Sequence, residues 1–320
     1  MQRILCLLAL CTPLGATAAS LQKVDINFAA VVGERAFSCG ESYDNIGSSH
    51  SKVTPSDWRF YVSDVALLTA KGDAVPLQLA QDGVWQYRNV ALLDFENGSG
   101  PCRNGNAGLH TKVSGSVPKG QYVGVRFTLG VPFDLNHNDP TLAPAPLNSS
   151  SMFWAWQSGY KFVKIDFASN GLPQAADAPG EGSMADKVAM MAKIAAARAA
   201  SAVGVSGVPG KKMSPRAAGF SVHLGSTACT SASLTAPPAA ACGNPNRVTV
   251  TFARFNPKKQ VIQADLASLL QDTNVDVNAP DSAPGCMSAP NDGDCPGVMA
   301  GFGLPFNNQP APEQRFFKVK

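Results

Sequence analysis

The chain has 320 residues, with 26 Lys or Arg against 23 Asp or Glu, a net charge of +3. So balanced a charge excludes the basic footprint of a nucleic-acid-binding protein. Charged residues are 15% of the chain, against roughly 25% for an average domain, and hydrophobic residues at 45% are enough for a large core. The 29 Gly and 24 Pro mark a turn-rich chain, and four His leave a histidine metal site a short list. The length suits one large all-β domain or two small ones.

Residues 1–19, with Ser20 following, read as a secretory signal peptide: Arg3 supplies the positive start, Ile4 to Leu10 the apolar run, and Ala16-Thr17-Ala18-Ala19 the small residues at a cleavage point. The run is too short to span a membrane. Leu10 before Cys11 disfavours a lipidated cysteine. Export leaves six cysteines, an even number that suggests disulfides, although six permit 15 pairings. Short loops favour Cys229–Cys242 and Cys286–Cys295, which leaves Cys39–Cys102. No CxxC spacing supports thiolate metal ligands.

From residue 20 to residue 320 a single domain is expected, an antiparallel β-sandwich of short strands and long loops. Val24 to Phe28 alternates apolar and polar residues as a half-buried strand does. Trp58 to Val62, Tyr122 to Val131, Tyr160 to Phe167, Phe220 to Leu224 and Arg247 to Phe255 continue in that style. Pro140 to Ser151, with three Pro, reads as a loop. An Ala/Met-rich insert at about 171–217 carries the best helix pattern, Met184 to Ala202. Its Met190 and Met191 read as an apolar helix face rather than as Cu(I) ligands.

No GxSxG, HExxH, Walker loop or post-strand GxGxxG occurs, and Ser, His and Asp show no triad spacing. The chain is therefore not expected to be an enzyme. Polar and aromatic residues crowd Val131 to Asp166. Asn136-His137-Asn138-Asp139 makes a polar turn, and Trp154 and Trp156, two apart, share a face if extended. Asp134, Asp139 and Asp166 offer carboxylates, but nothing in the sequence brings them together, and turn formation explains loop acids equally well. In Phe220 to Gly225 the apolar face holds Phe220, Val222 and Leu224, and Ser221 and His223 fall on the other. His50 and His110 read as solvated loop residues.

Six segments carry a family resemblance: RFYVSDV (59–65), LLDFENGSGPC (92–102), VPFDLNHNDP (131–140), MFWAWQSGYKF (152–162), HLGSTAC (223–229) and GCMSAPNDGDC (285–295). On them the sequence resembles the MbnP family, the four-Cys member of the "metallo-mystery pair". The insert departs from the family, where a short connection is expected. The resemblance implies a periplasmic, β-rich copper-binding protein with a role in copper homeostasis. It implies a di-haem partner enzyme related to MauG and the bacterial cytochrome c peroxidases, and oxidation of the first Trp of WxW to kynurenine by that partner. Carried onto this chain, that residue is Trp154, with Trp156 as a shield or part of the oxidation route. An indole N–H offers a metal no lone pair. Ring opening leaves an aryl amine and a ketone, and nitrogen ligands suit copper. The expected Cu(I) site is kynurenine-154 with His137 and His223. Met152 is an additional soft candidate, and Asp134, Asn136 and Asp139 would orient an imidazole or hold a hard cation such as Ca²⁺. The competing expectation is a metal-free β-sandwich that uses exposed Trp85, Trp154 and Trp156 to recognise carbohydrate or a protein partner.

Overall fold

The computed structural model describes residues 20–172 and 219–320, apart from 104, 156, 234 and 281. The expected export signal, nearly all of the 171–217 insert and Trp156 lie outside the described residues. In chain order the strands are β1 (Leu21–Val32), β2 (Arg35–Ala36), β3 (Tyr43–Ile46), β4 (Ser51–Leu68), β5 (Ala74–Pro76), β6 (Gln78–Leu79), β7 (Gln86–Tyr87) and β8 (Val90–Asp94). They continue as β9 (Lys112–Pro118), β10 (Gly124–Leu129), β11 (Phe153–Ala155), β12 (Gly159–Ser169), β13 (Phe220–Gly225), β14 (Val248–Phe252), β15 (Ile262–Asp265) and β16 (Phe317–Val319). Among the described residues there are three short α-helices, α1 (Phe133–Asn136), α2 (Leu266–Leu270) and α3 (Pro296–Phe302). None of the described helices is long and apolar enough to cross a membrane.

The strands form two sheets. The smaller runs β16-β15-β1-β9-β6, with β2 on β1; the larger runs β11-β12-β4-β10-β14, with β13 on β12 and β3, β5 and β8 on β4. Nearly all pairing is antiparallel, β1 with β15 being parallel. Aromatic rings join the two sheets into a sandwich. Phe28 of β1 meets Phe60 of β4 and Phe127 of β10 edge to face at 6.2 and 5.5 Å, and Phe317 of β16 meets the same two rings at 5.6 and 5.1 Å. Edge-to-face geometry sets the positive rim of one ring against the negative face of the next.

In β1 the alternation holds: Ile26 and Phe28 are buried, Asp25 and Asn27 exposed. In β4 it does not, because residues 57–63 are buried without a break. Trp58, Phe60 and Val62 fill the core. Asp57, Arg59, Tyr61 and Ser63 face the other way, and the Pro-rich loop covers two of them: its Pro146 carbonyl accepts from Tyr61 Oη at 3.0 Å and its Ser151 Oγ accepts from Arg59 Nη1 at 3.0 Å. A period-two pattern marks a polar face but not whether water or chain covers it. All three disulfides favoured from the sequence are formed: Cys39–Cys102, Cys229–Cys242 and Cys286–Cys295.

Candidate metal centre

Three segments meet at the C-terminal end of β13. The first is β13 itself, paired with β12 through Lys164↔His223 and Asp166↔Ser221. Ser221, His223 and Gly225 share one face of the strand. The second is β11, a three-residue strand that folds back on β12 through Phe153↔Tyr160 and Ala155↔Gly159. Phe153 enters the core, so Trp154 is turned the other way and stays half-buried. Its six-membered ring lies on Gly225, where a Cβ would stand 2.5 Å from Cζ3. Only glycine admits the ring at that distance, and the ring therefore occupies the face of β13 that carries His223.

The third segment is α1 and the turn after it. Asn136 and His137 are buried. Tyr160 N–H donates to Asn136 Oδ1 at 2.9 Å, which directs the amide nitrogen toward His137 Nε2 at 3.1 Å and Ser226 Oγ at 3.4 Å. An amide nitrogen only donates, so His137 Nε2 is the acceptor and bears the lone pair. The contact depends on Gly159, at φ +74°, whose missing Cβ would lie 2.3 Å from the Asn136 carbonyl. His137 Nε2 also lies 3.7 Å from Cys242 Sγ, and its ring tilts against Phe133 at 5.1 Å.

His223 is set by a carboxylate. Its Nε2 lies 2.8 Å from Asp166 Oδ1, and Asp166 is bound by Lys164 Nζ at 3.0 Å. Burial opposes charge on Asp166, but His223, Lys164 and the Ser221 hydroxyl together hold its carboxyl well below the usual range. Burial also pushes the His223 imidazole down, against the pull of Asp166. The neutral ring therefore donates Nε2–H to an ionised carboxylate and keeps its lone pair on Nδ1. This is how histidine ligands are commonly oriented in metal sites.

The polar side of the large sheet continues from there as a buried network. Lys164 Nζ bonds Asp57 Oδ2 at 2.6 Å, Asp57 Oδ1 accepts from Arg59 Nε at 2.8 Å, and Lys161 Nζ donates to the Ser151 carbonyl at 3.0 Å. Ser151 immediately precedes the segment carrying Trp154, so the network braces the Trp154 strand and the His223 strand from one set of charges.

These geometries sort the expected site residues. His137, Trp154 and His223 come to the same end of β13. Met152 is fully buried in the apolar core. Asp134 is exposed and pairs with Arg88 at 3.0 Å, and Asp139 Oδ1 accepts from Thr141 N and Oγ1. Among the described residues, the close-set groups of His, Cys, Asp and Glu ligand atoms include neither Asp134 nor Asp139. Asn136 is the expected orienting residue that does contact an imidazole. His50 is exposed, as expected. His110 differs from expectation: it is half-buried, stacks on Trp85 at 5.2 Å and bonds the Leu92 carbonyl through Nδ1 at 2.6 Å. Trp85 is thereby partly covered as well.

A family model described as MbnP matches residues 21–288. The chain belongs to the MbnP family. The solved structure of MbnP from Methylosinus trichosporium is similar over 94% of this chain and 98% of that one, with 29% identity and a TM-score of 0.71. No curated protein matches the chain. His137, Trp154 and His223 all lie inside the span of the MbnP model, as do the orienting residue Asn136 and also Asp166 and Gly225, whose roles the sequence did not single out. For Asp166 the available signal was register: it and His223 both lie on the polar faces of neighbouring strands. Without the pairing of β12 with β13, no rule joined residues 57 positions apart.

Proposed function

We propose that this MbnP-family chain is a periplasmic copper-binding protein of copper homeostasis. In this reading its Cu(I) site is completed when a di-haem enzyme of the MauG and cytochrome c peroxidase kind oxidises Trp154 to kynurenine. The observation that carries the reading is the placement of the Trp154 ring on Gly225, on the face of β13 that bears His223 and beside the Asn136–His137 turn. The donor set fits the ion: two neutral imidazoles, with lone pairs on His223 Nδ1 and on His137 Nε2 once copper displaces the Asn136 N–H, suit a d10 copper ion. Bound copper would supply the soft Lewis-acid centre.

The chain's own residues do the rest. Asn136 and Asp166 fix the imidazole tautomers, and Gly225 admits the six-membered ring. Half-exposure leaves the indole open to an outside oxidant. Opening the five-membered ring removes one carbon and leaves an aryl amine as a third nitrogen donor. The chain acts in this scheme as the substrate of its partner and as a metal-binding protein, not as an enzyme.

The test compares protein produced with and without the partner. The peptide holding Trp154 should show, only in the first case, the mass change for one carbon lost and one oxygen gained. High-affinity Cu(I) binding should accompany the change, and His137→Ala and His223→Ala should each weaken it. Native copper-loaded protein with an intact Trp154 indole would defeat the reading.

A further inference from the structure

His137 has a second set of neighbours that the kynurenine site does not use. An imidazole nitrogen of His137 and the sulfurs of Cys229 and Cys242 lie within 4.8 Å of one another, with Nε2 3.7 Å from Cys242 Sγ. The two sulfurs are bonded to each other, so they are poor metal ligands in this state. Two features separate this bridge from the others. Cys229 is half-exposed while Cys242 is buried, whereas both cysteines of Cys286–Cys295 are buried. Cys39 is also half-exposed, but among the described residues no group of close-set ligand atoms includes it or Cys102. Among the described residues, the Cys229–Cys242 bridge is thus the one that combines a half-exposed cysteine with a nearby imidazole. The described residues of the segment it closes, 230–241, are mostly exposed, so the loop has room to adjust when the bond opens.

We propose that the Cys229–Cys242 bridge masks a second metal site. On reduction, Cys229, Cys242 and His137 form a Cys₂His site for a soft d10 cation, Cu(I) or Zn²⁺. A dithiol reductant gives two electrons and two protons to the S–S bond and becomes a disulfide itself. The cation then takes the two sulfurs and the Nε2 lone pair, and both thiol protons leave to solvent. Two thiolates and one imidazole, with a fourth position open, match the ligand types such cations take. The Asn136 amide already holds the imidazole in the tautomer this needs, and its N–H leaves Nε2 when the cation binds there. The site shares His137 with the proposed kynurenine centre but needs neither kynurenine nor His223.

The experiment uses the mature chain carrying Trp154→Phe, made without the partner, so that its outcome is independent of kynurenine chemistry. The protein is reduced anaerobically with a phosphine and titrated with Co²⁺, whose thiolate charge-transfer bands report sulfur ligation. The expected result is one equivalent bound with those bands. They should be absent from the unreduced protein and from the Cys229→Ser, Cys242→Ser double variant. His137→Ala should lower the affinity by more than the roughly 10–100-fold that loss of an outer hydrogen-bond partner costs, whereas substitution of the exposed His50 by Ala should leave it unchanged. Alkylation of the apo protein with N-ethylmaleimide after the same reduction, read by peptide mass, should label Cys229 and Cys242. Absence of the bands in reduced protein would overturn the proposal. So would their survival in the double variant, or an affinity indifferent to His137→Ala.

Discussion

At the residue scale, the chemistry rests on which nitrogen of each histidine carries its proton. Asn136 decides it for His137 and Asp166 for His223, and neither acts through its own affinity for a metal. Replacing Asp166 by Asn keeps the shape but removes the charge that holds Nε2–H. Asp166→Asn is expected to weaken Cu(I) binding by the mature, partner-modified protein by about 10–100-fold, measured against a chromophoric chelator. A second carboxylate sets a pH dependence. Burial pushes Asp94 up to about 7, with Glu96 and Asp57 adding to the push and Arg59 opposing it. The fold favours its protonated form. That contribution is complete below the ordinary value of 3.8 and is lost as pH rises to about 7. Asp94→Asn keeps a neutral side chain at every pH, so it should gain on the native chain as pH rises across that window. A difference in urea midpoint that stays constant from the lower value to the upper would contradict this.

At the element scale, β4 is the strand on which the larger sheet is assembled. It is bonded to β12 and β10 along one edge and to β3, β5 and β8 along the other. Phe60 at its centre touches Phe28, Phe95, Phe316 and Phe317. Phe60→Ala should cost about 3–5 kcal/mol in urea unfolding, since four rings lose a partner, Phe28 and Phe317 of the smaller sheet among them. The same strand shows how far pattern reading reached. Phe220 to Leu224 was legible as a strand with His223 off its apolar face, and Trp58 to Val62 as a strand. Burial of both faces was not, because the cover comes from a Pro-rich loop more than 80 residues away in sequence. The Asn136–Tyr160 contact that aims His137 is of the same kind: each residue sits in a motif visible in the sequence, and only the turn into β12 joins them.

At the scale of the whole molecule, two sheets share one aromatic core and three disulfides close loops of unequal size. The bridges span 63, 13 and 9 residues. Loop-closure entropy then ranks their removal: Cys39–Cys102 should cost about 4 kcal/mol and Cys286–Cys295 about 2.5 kcal/mol. Paired Ser variants compared by urea denaturation test the order, and an equal cost for the two would count against the entropic account.

Local chemistry and counting were enough for part of the picture. An even set of cysteines with short spacings pointed to the bridges that form, alternation identified the β class, and the WxW and HLGST segments pointed to the MbnP family. These features survive in one dimension because chain proximity, side-chain period and motif spacing are properties of the chain itself. The tertiary structure alone decided which carboxylate orients His223, that Gly225 makes room for Trp154, and that His137 lies against a disulfide. Those are contacts between residues 57 to 105 positions apart, set by strand register and loop cover, and no local preference encodes them.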